Sequence, residues 1–124
     1  VGGFFFFIGA CFYLVLVWAG GGGPPATAAA LITAVAALPD GASWAATGVG
    51  RTTMPVMYAA LATGGHLRVG LEDVVTWARG VPVRDNAQLV ERAAQAATLF
   101  QRPPMTPDDA RSLLKVKDRR GVPA

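Results

Sequence analysis

No Lys, Arg, Asp or Glu occurs before Asp40, and a chain whose first 39 residues carry no charge has few ways to fold. Such a stretch crosses a bilayer, leads a secreted chain or is buried in a core. Phe4 to Trp18 is apolar apart from the Tyr13 hydroxyl, fifteen residues where a spanning helix takes roughly 20. Lengthening it brings in Ala19 and Gly20 to Gly23, and glycine is a poor helix former. The nearest basic residue is Arg51, so the cationic flank that orients a span or opens a signal peptide is missing. The chain opens on Val1 rather than Met, which fits a start further upstream. Phe12 to Trp18 is β-branched and aromatic and is soon followed by glycine, so it reads as a strand of a parallel sheet covered on both faces. For Phe4 to Cys11 three readings stand open: an earlier strand, an irregular lead-in or part of a helix.

From Phe12 the sequence is rhythmic. Gly20 to Gly23 and Pro24-Pro25 end the first strand, Thr27 caps a helix over Ala28–Leu38 with Leu31, Ile32, Val35 and Leu38 on one side, and Pro39-Asp40-Gly41 stops it. A second unit has a strand over Ala42–Gly48, a loop Gly48–Arg51, Thr53 as cap, Pro55 in the first turn and a helix over Met54–Thr63. After Gly64-Gly65 comes a third: a strand over His66–Leu71, a longer loop Glu72–Arg84 and an amphipathic helix Asn86–Phe100, opened by an Asp85/Gln88 capping box. Pro103-Pro104 separates a short last helix capped by Thr106, with Asp108 and Asp109 at the positive end of its dipole. Three β-loop-α units in succession predict an α/β fold with parallel strands and helical crossovers. Three strands do not cover themselves, so the domain is larger than these units or the Phe-rich start supplies a missing layer.

An apolar fraction of 52% excludes a disordered chain, and the single Cys11 excludes a disulfide framework or multi-thiolate zinc site within it. One cysteine suits a reducing compartment, and a cytoplasmic location is expected. The net charge of +3 resides in the last ten residues, where Lys115, Lys117, Arg119 and Arg120 face only Asp118. No aromatic residue accompanies them to stack on bases, so residues 115–124 read as a solvated tail rather than a nucleic-acid site.

The densest polar group is His66-Leu-Arg68-Val-Gly70-Leu-Glu72-Asp73. On a strand, His66, Arg68, Gly70 and Glu72 share one face and Leu67, Val69 and Leu71 the other. With the apolar face against helices, an Arg and a carboxylate are left inside the sheet or barrel. Glu72 at the C-terminal end of a parallel strand is then either a site residue or half of an ion pair that fixes a loop. Asp73 reads as an acid-base group or an Asx turn, and His66 as a structural histidine. Gly48-Val-Gly50-Arg51 ahead of a helix has backbone N–H groups and a guanidinium to offer a phosphate, but lacks a dinucleotide motif's third glycine and a P-loop lysine. Gly20 to Gly23 is explained as well by turn geometry, and Trp18, Trp44 and Trp77 are expected to pack.

The stretches Gly-Gly-His66-Leu-Arg68-Val-Gly-Leu-Glu72-Asp73, Trp44 to Arg51 ending in Gly-Val-Gly-Arg, Asn86-Ala-Gln-Leu-Val-Glu-Arg and Thr106-Pro-Asp-Asp-Ala-Arg together resemble the C-terminal part of the β-keto acid cleavage enzymes. The resemblance covers most of Phe12 to Leu114. It implies a TIM (β/α)8 barrel, a catalytic Zn2+ and a retro-Claisen-type exchange in which a β-keto acid and acetyl-CoA become acetoacetate and a new acyl-CoA. By it, Glu72 is the carboxylate metal ligand and Arg68 and Asp73 position and activate the substrate; Gly48, Gly50 and Arg51, from their own phosphate-binding chemistry, are candidate substrate or CoA contacts. A zinc ion would polarise the keto carbonyl while the carboxylate oriented by Arg handles a proton or nucleophile.

Two departures stand out. Val74 occupies the position after Glu-Asp where the family usually has Asn, and the family's His-x-His zinc ligands have no counterpart, since His66 is the sole histidine. The chain is expected to be a partial barrel: an apolar lead-in 1–11, the last three β/α units and a short C-terminal helix over 12–114, and the tail 115–124. Its partners would be a small β-keto acid and acetyl-CoA, with no nucleic acid and no membrane, in a homo-oligomer when full-length. Alone it is expected to lack a complete active site, because zinc needs about three protein ligands. The competing readings are a small membrane-anchored protein and a truncated remnant without function.

Overall fold

The computed structural model describes the backbone of residues 2–8, 11–18 and 27–113 and the side chains of 15–17 and 27–113. The apolar start forms two strands, β1 (Gly2–Ile8) and β2 (Cys11–Trp18), paired antiparallel with Ile8 opposite Cys11. Of the three readings of Phe4 to Cys11, the strand is the one adopted. No helix among the described residues is long and apolar enough to cross a membrane. β3 (Ser43–Gly48) and β4 (His66–Leu67) follow, giving a sheet of order β1-β2-β3-β4 whose last three strands are parallel. With four α-helices among the described residues, the chain is a mixed α/β protein.

Three of the four described helices start at a side-chain cap, and the one over Thr53–Ala62 does not. In α1 (Ala28–Ala36) the Ala30 N–H donates to Thr27 Oγ1 at 3.2 Å, satisfying one of the four free N–H groups at a helix start. This helix stops two residues short of the expected Leu38, and Ile32, placed on the packed side by its spacing, is 54% exposed, while Leu31 is fully buried. Before α2 (Thr53–Ala62) a single 3-10 turn covers Gly50–Thr52. Thr53 is therefore not the cap: it is the first helical residue, and its buried hydroxyl donates back to the Gly48 and Gly50 carbonyls at 2.7 and 2.8 Å. That contact needs Gly48, since a Cβ there would meet the Thr52–Thr53 backbone.

The third unit departs most from expectation. Arg68 N–H still donates to Ala46 carbonyl at 3.1 Å, but the chain then leaves the ladder and turns over Gly70–Asp73, where the Asp73 and Val74 N–H groups both donate to Gly70 carbonyl. The strand expected over His66–Leu71 is thus two residues long, because this turn takes over its backbone bonds. Within the expected loop 72–84 lies a hairpin, β5 (Thr76–Ala78) and β6 (Val81–Pro82), turned by Gly80 at φ +76°. Helix α3 (Asn86–Leu99) starts at Asp85, which accepts from Gln88 N–H at 2.8 Å; the Gln88 side chain accepts from Arg84 N–H, one residue earlier than a strict capping box. The last helix, α4 (Pro107–Leu113), is capped by Thr106 through Asp109 N–H. Residues 20–25 and 115–124, read as a turn and a tail, lie outside the described residues.

Strand alternation decides the packing. Leu16, Trp44 and Ala46 face α1 and α2, where Leu31, Val56, Ala59 and Ala60 complete a core. A fully buried leucine such as Leu31 contributes about 1.5–3 kcal/mol through the water it sheds. Gly65 abuts the Trp44 ring, leaving no room for a Cβ. A second cluster joins Met57 and Leu61 of α2 to Ala93, Ala96 and Ala97 of α3, with Leu67 and Val69 against it. Arg102 fixes the corner beyond: its guanidinium donates to the carbonyls of Leu61, Gly64 and Gly65 at 2.9–3.0 Å, capping the end of α2. The opposite face of the sheet carries Val15, Ala45 and His66 in one register row, with Val17 and Thr47 in the next parallel pair.

Candidate active site

Polar side chains from three segments converge at the C-terminal ends of β3 and β4. Arg68 is the centre: Nη2 donates to Glu72 Oε1 at 2.6 Å, and Nη1 to Asp73 Oδ2 at 2.7 Å. One planar guanidinium thereby holds two carboxylates apart in a fixed geometry. Thr47, the last polar residue of β3 and 2% exposed, donates its hydroxyl to the same Asp73 Oδ2 at 3.1 Å. The Asp73 carbonyl accepts from Gly50 N–H at 2.7 Å. The loops after β3 and β4 are therefore tied together by both the backbone and the side chain of one residue.

The turn over Gly70–Asp73 makes this possible. The Glu72 carboxylate folds back on Arg68 over Gly70, in the space that a side chain at position 70 would take. The next N–H, that of Leu71, donates to Asn86 Oδ1 at 2.9 Å, anchoring the turn on the first residue of α3. Exposure separates the carboxylates: the Asp73 side chain is 9% exposed and that of Glu72 57%, with Arg68 between them at 39%. Asp73 is the group withdrawn from solvent, and its carboxylate goes to Arg68 and Thr47 instead of forming an Asx turn.

The structure brings together Arg68, Glu72 and Asp73, and sets Gly50 against them through its N–H. Gly48 ends β3 one residue from Thr47, and Arg51 is exposed in the following turn. The loop's donors are partly committed: Gly50 N–H to Asp73, Thr52 N–H to Val49 carbonyl. His66 is half-buried at the other end of β4, where burial, and then the positive charge of Arg102, lower its pKa. It is not part of the cluster. Trp44 packs in the core as expected, whereas Trp77 on the hairpin lies under the Arg92 guanidinium, 4.0 Å from the ring centroid, and its carbonyl accepts from Arg92 Nη1. Thr47, Asn86 and Arg102 were not singled out in the sequence; a lone hydroxyl at the end of the strand Trp44-Ala-Ala-Thr47 was the one signal of the first.

Zinc coordination was tested against these side chains. Among the described residues, no group of three or more His, Cys, Asp or Glu could hold a metal ion. Glu72 has Oε2 to offer, but Asp73 Oδ2 is engaged by two donors and His66 lies at the far end of its strand. The described residues by themselves do not supply the three or so protein ligands that a zinc site takes.

Parallel strands joined by helices make this a mixed α/β protein, and its Arg-carboxylate cluster, where the strand ends give way to loops, is the candidate site. The beta-keto acid cleavage enzyme family model matches residues 7–116, and the chain belongs to that family. It is 39% identical over 86 residues to the 3-keto-5-aminohexanoate cleavage enzyme of Acetoanaerobium sticklandii, covering 69% of this chain and 32% of the relative. The protein of the same name from Fusobacterium nucleatum is 38% identical over 87 residues, 70% of this chain and 32% of that one. A 3-oxoadipate:acetyl-CoA acetyltransferase of Cupriavidus necator is 38% identical over 76 residues, 61% and 26% of the two chains. The matched region thus spans about a third of these relatives or less.

Proposed function

We propose that this chain is the C-terminal portion of an enzyme that exchanges acyl groups between a β-keto acid and acetyl-CoA, giving acetoacetate and a new acyl-CoA. The observation that carries this reading is the Arg68 bridge to Glu72 and Asp73 at the end of a parallel strand. It is supported by membership of the cleavage-enzyme family and by acetyl-CoA in the name of the Cupriavidus necator relative. Arg68 orients Asp73 and offers positive charge to a substrate carboxylate or a developing oxyanion; Asp73, shielded from water, holds or moves the proton. Glu72 would be this chain's ligand to a zinc ion, which would supply Lewis-acid polarisation of the keto carbonyl. Gly48, Gly50 and Arg51 line the neighbouring loop, where the exposed Arg51 guanidinium suits a CoA phosphate.

In this reading residues 12–114 are the last three β/α units and closing helix of a (β/α)8 barrel, preceded by the lead-in 1–11 and followed by the tail 115–124. In support, β2, β3 and β4 are parallel, β4 ends the described sheet, and a cleft of about 850 Å³ beside it is lined by His66, Arg68, Val90, Ala94 and Pro104. β1, antiparallel to β2 at the other edge, is not a barrel strand and falls in the lead-in. The enzyme acts on small molecules in the cytoplasm, as a homo-oligomer when complete, and the isolated chain turns over no substrate. The test is to read the coding sequence upstream of Val1 and assay acyl-CoA formation with that segment supplied. A His-x-His in frame and acetyl-CoA-dependent turnover are expected; an intact frame without the His pair overturns the reading.

A further inference from the structure

We propose that Thr47 is a positioning residue that, together with Arg68, fixes which oxygen of Asp73 faces the substrate. The inference rests on the reading of Asp73 as the proton-handling group. Asp73 Oδ2 takes two hydrogen bonds, from Arg68 Nη1 at 2.7 Å and Thr47 Oγ1 at 3.1 Å, and Oδ1 has no partner among the described residues. A carboxylate held by one donor can swing about its Cβ–Cγ bond and exchange its oxygens. Donors from two directions on the same oxygen stop that exchange. The two come from different strands, Thr47 from β3 and Arg68 from just beyond β4, so the carboxylate is referenced to the sheet rather than to its own flexible turn. The Gly50 N–H on the Asp73 carbonyl holds the backbone of the same residue at 2.7 Å, leaving the side-chain torsions for Thr47 and Arg68 to set. Thr47 is buried, and its hydroxyl is the one polar group that β3 sends to this end of the sheet. Thr47 follows the apolar run Trp44-Ala45-Ala46, and a buried hydroxyl there whose acceptor is a carboxylate 26 residues away is explained by that acceptor. Oδ1 is then the lobe left open for the proton or hydrogen bond of the substrate.

The test compares Thr47→Val, which keeps the shape and removes the hydroxyl, with Thr47→Ser, which keeps the hydroxyl, in the 124-residue chain. The first readout is the NMR signature of the Arg68 guanidinium and the Asp73 carboxylate carbon. Distinct, slowly exchanging Arg68 Nη protons are expected in the parent and in Thr47→Ser. They should broaden or merge in Thr47→Val, with a displaced Asp73 carboxylate resonance. The second readout is kinetic, with the upstream segment supplied: kcat falls about tenfold or more in Thr47→Val, the loss of one hydrogen bond to a charged group, while KM is unchanged and Thr47→Ser recovers most of the rate. Thr47→Val spectra identical to those of the parent, or an unchanged kcat, overturn the proposal. A parent protein that forms no acyl-CoA counts against the proposed function instead, and the spectra still decide whether Thr47 orients Asp73.

Discussion

The two faces of the parallel sheet are built on different principles. On one, Leu16, Trp44 and Ala46 bury themselves against α1 and α2 and need nothing further. On the other, Ala45 and Thr47 are buried at the centre while Val15, Val17 and His66 around them are only half-covered, and the Arg68 cluster gathers at its C-terminal end. The first face is held by apolar area, which tolerates change only at constant volume. The second is held by few, directional bonds to charged groups, where losing one partner strands the other. Stability should therefore reside on the helix side and chemistry on the open side, and substitutions can separate the two.

The largest stability loss is expected on the helix side. Leu31→Ala, at a fully buried position of α1, should cost about 2–5 kcal/mol in denaturant unfolding and leave the geometry of the Arg68 cluster untouched. An intermediate effect belongs to Arg102→Met. It removes three bonds to the carbonyls that end α2 and should cost about 1–2 kcal/mol, read as a lower unfolding midpoint with an unchanged m-value. At the mouth, Glu72→Gln should move stability by no more than about 0.5 kcal/mol, because that side chain is largely exposed and its ion pair is screened by water. If Glu72→Gln destabilises as much as Leu31→Ala, the division between the faces is wrong. The smallest effect is a pH dependence on the open face. The His66 pKa is lowered in the folded chain, by burial first and by Arg102 second, so the unfolded chain binds its proton more readily. The contribution is intact above the unfolded value of 6.5 and is lost as pH falls from there through the folded value. Replacing His66 with Gln should flatten stability against pH in that interval, measured by denaturant titrations at pH 5 to 8.

The same division explains what could be read in advance. Caps and periodicity act within a few residues, so Thr27, the Asp85–Gln88 pair, Thr106 and the three β/α units were legible in the sequence. Ile32 was misplaced because spacing puts it beside Leu31 without saying how far the neighbouring layer extends. Alternation through Leu71 suggests a longer strand than β4, but the Asp73 and Val74 N–H groups close a turn on the Gly70 carbonyl that takes those residues out of the ladder. Arg68, Glu72 and Asp73 were recognisable from one short motif. Thr47, 26 residues from its acceptor, and Arg102, about 40 from the carbonyls it caps, depend on tertiary proximity that local pattern does not encode.

In the proposed reading the Arg68 cluster serves chemistry rather than only fastening a loop. The most direct measurement of this is acyl-CoA formation from a β-keto acid and acetyl-CoA in Glu72→Gln, alongside its unfolding midpoint, with the upstream family segment supplied. The account predicts that turnover falls by about a hundredfold or more while the midpoint stays that of the parent. Turnover that survives unchanged, or that falls only in step with stability, would contradict it.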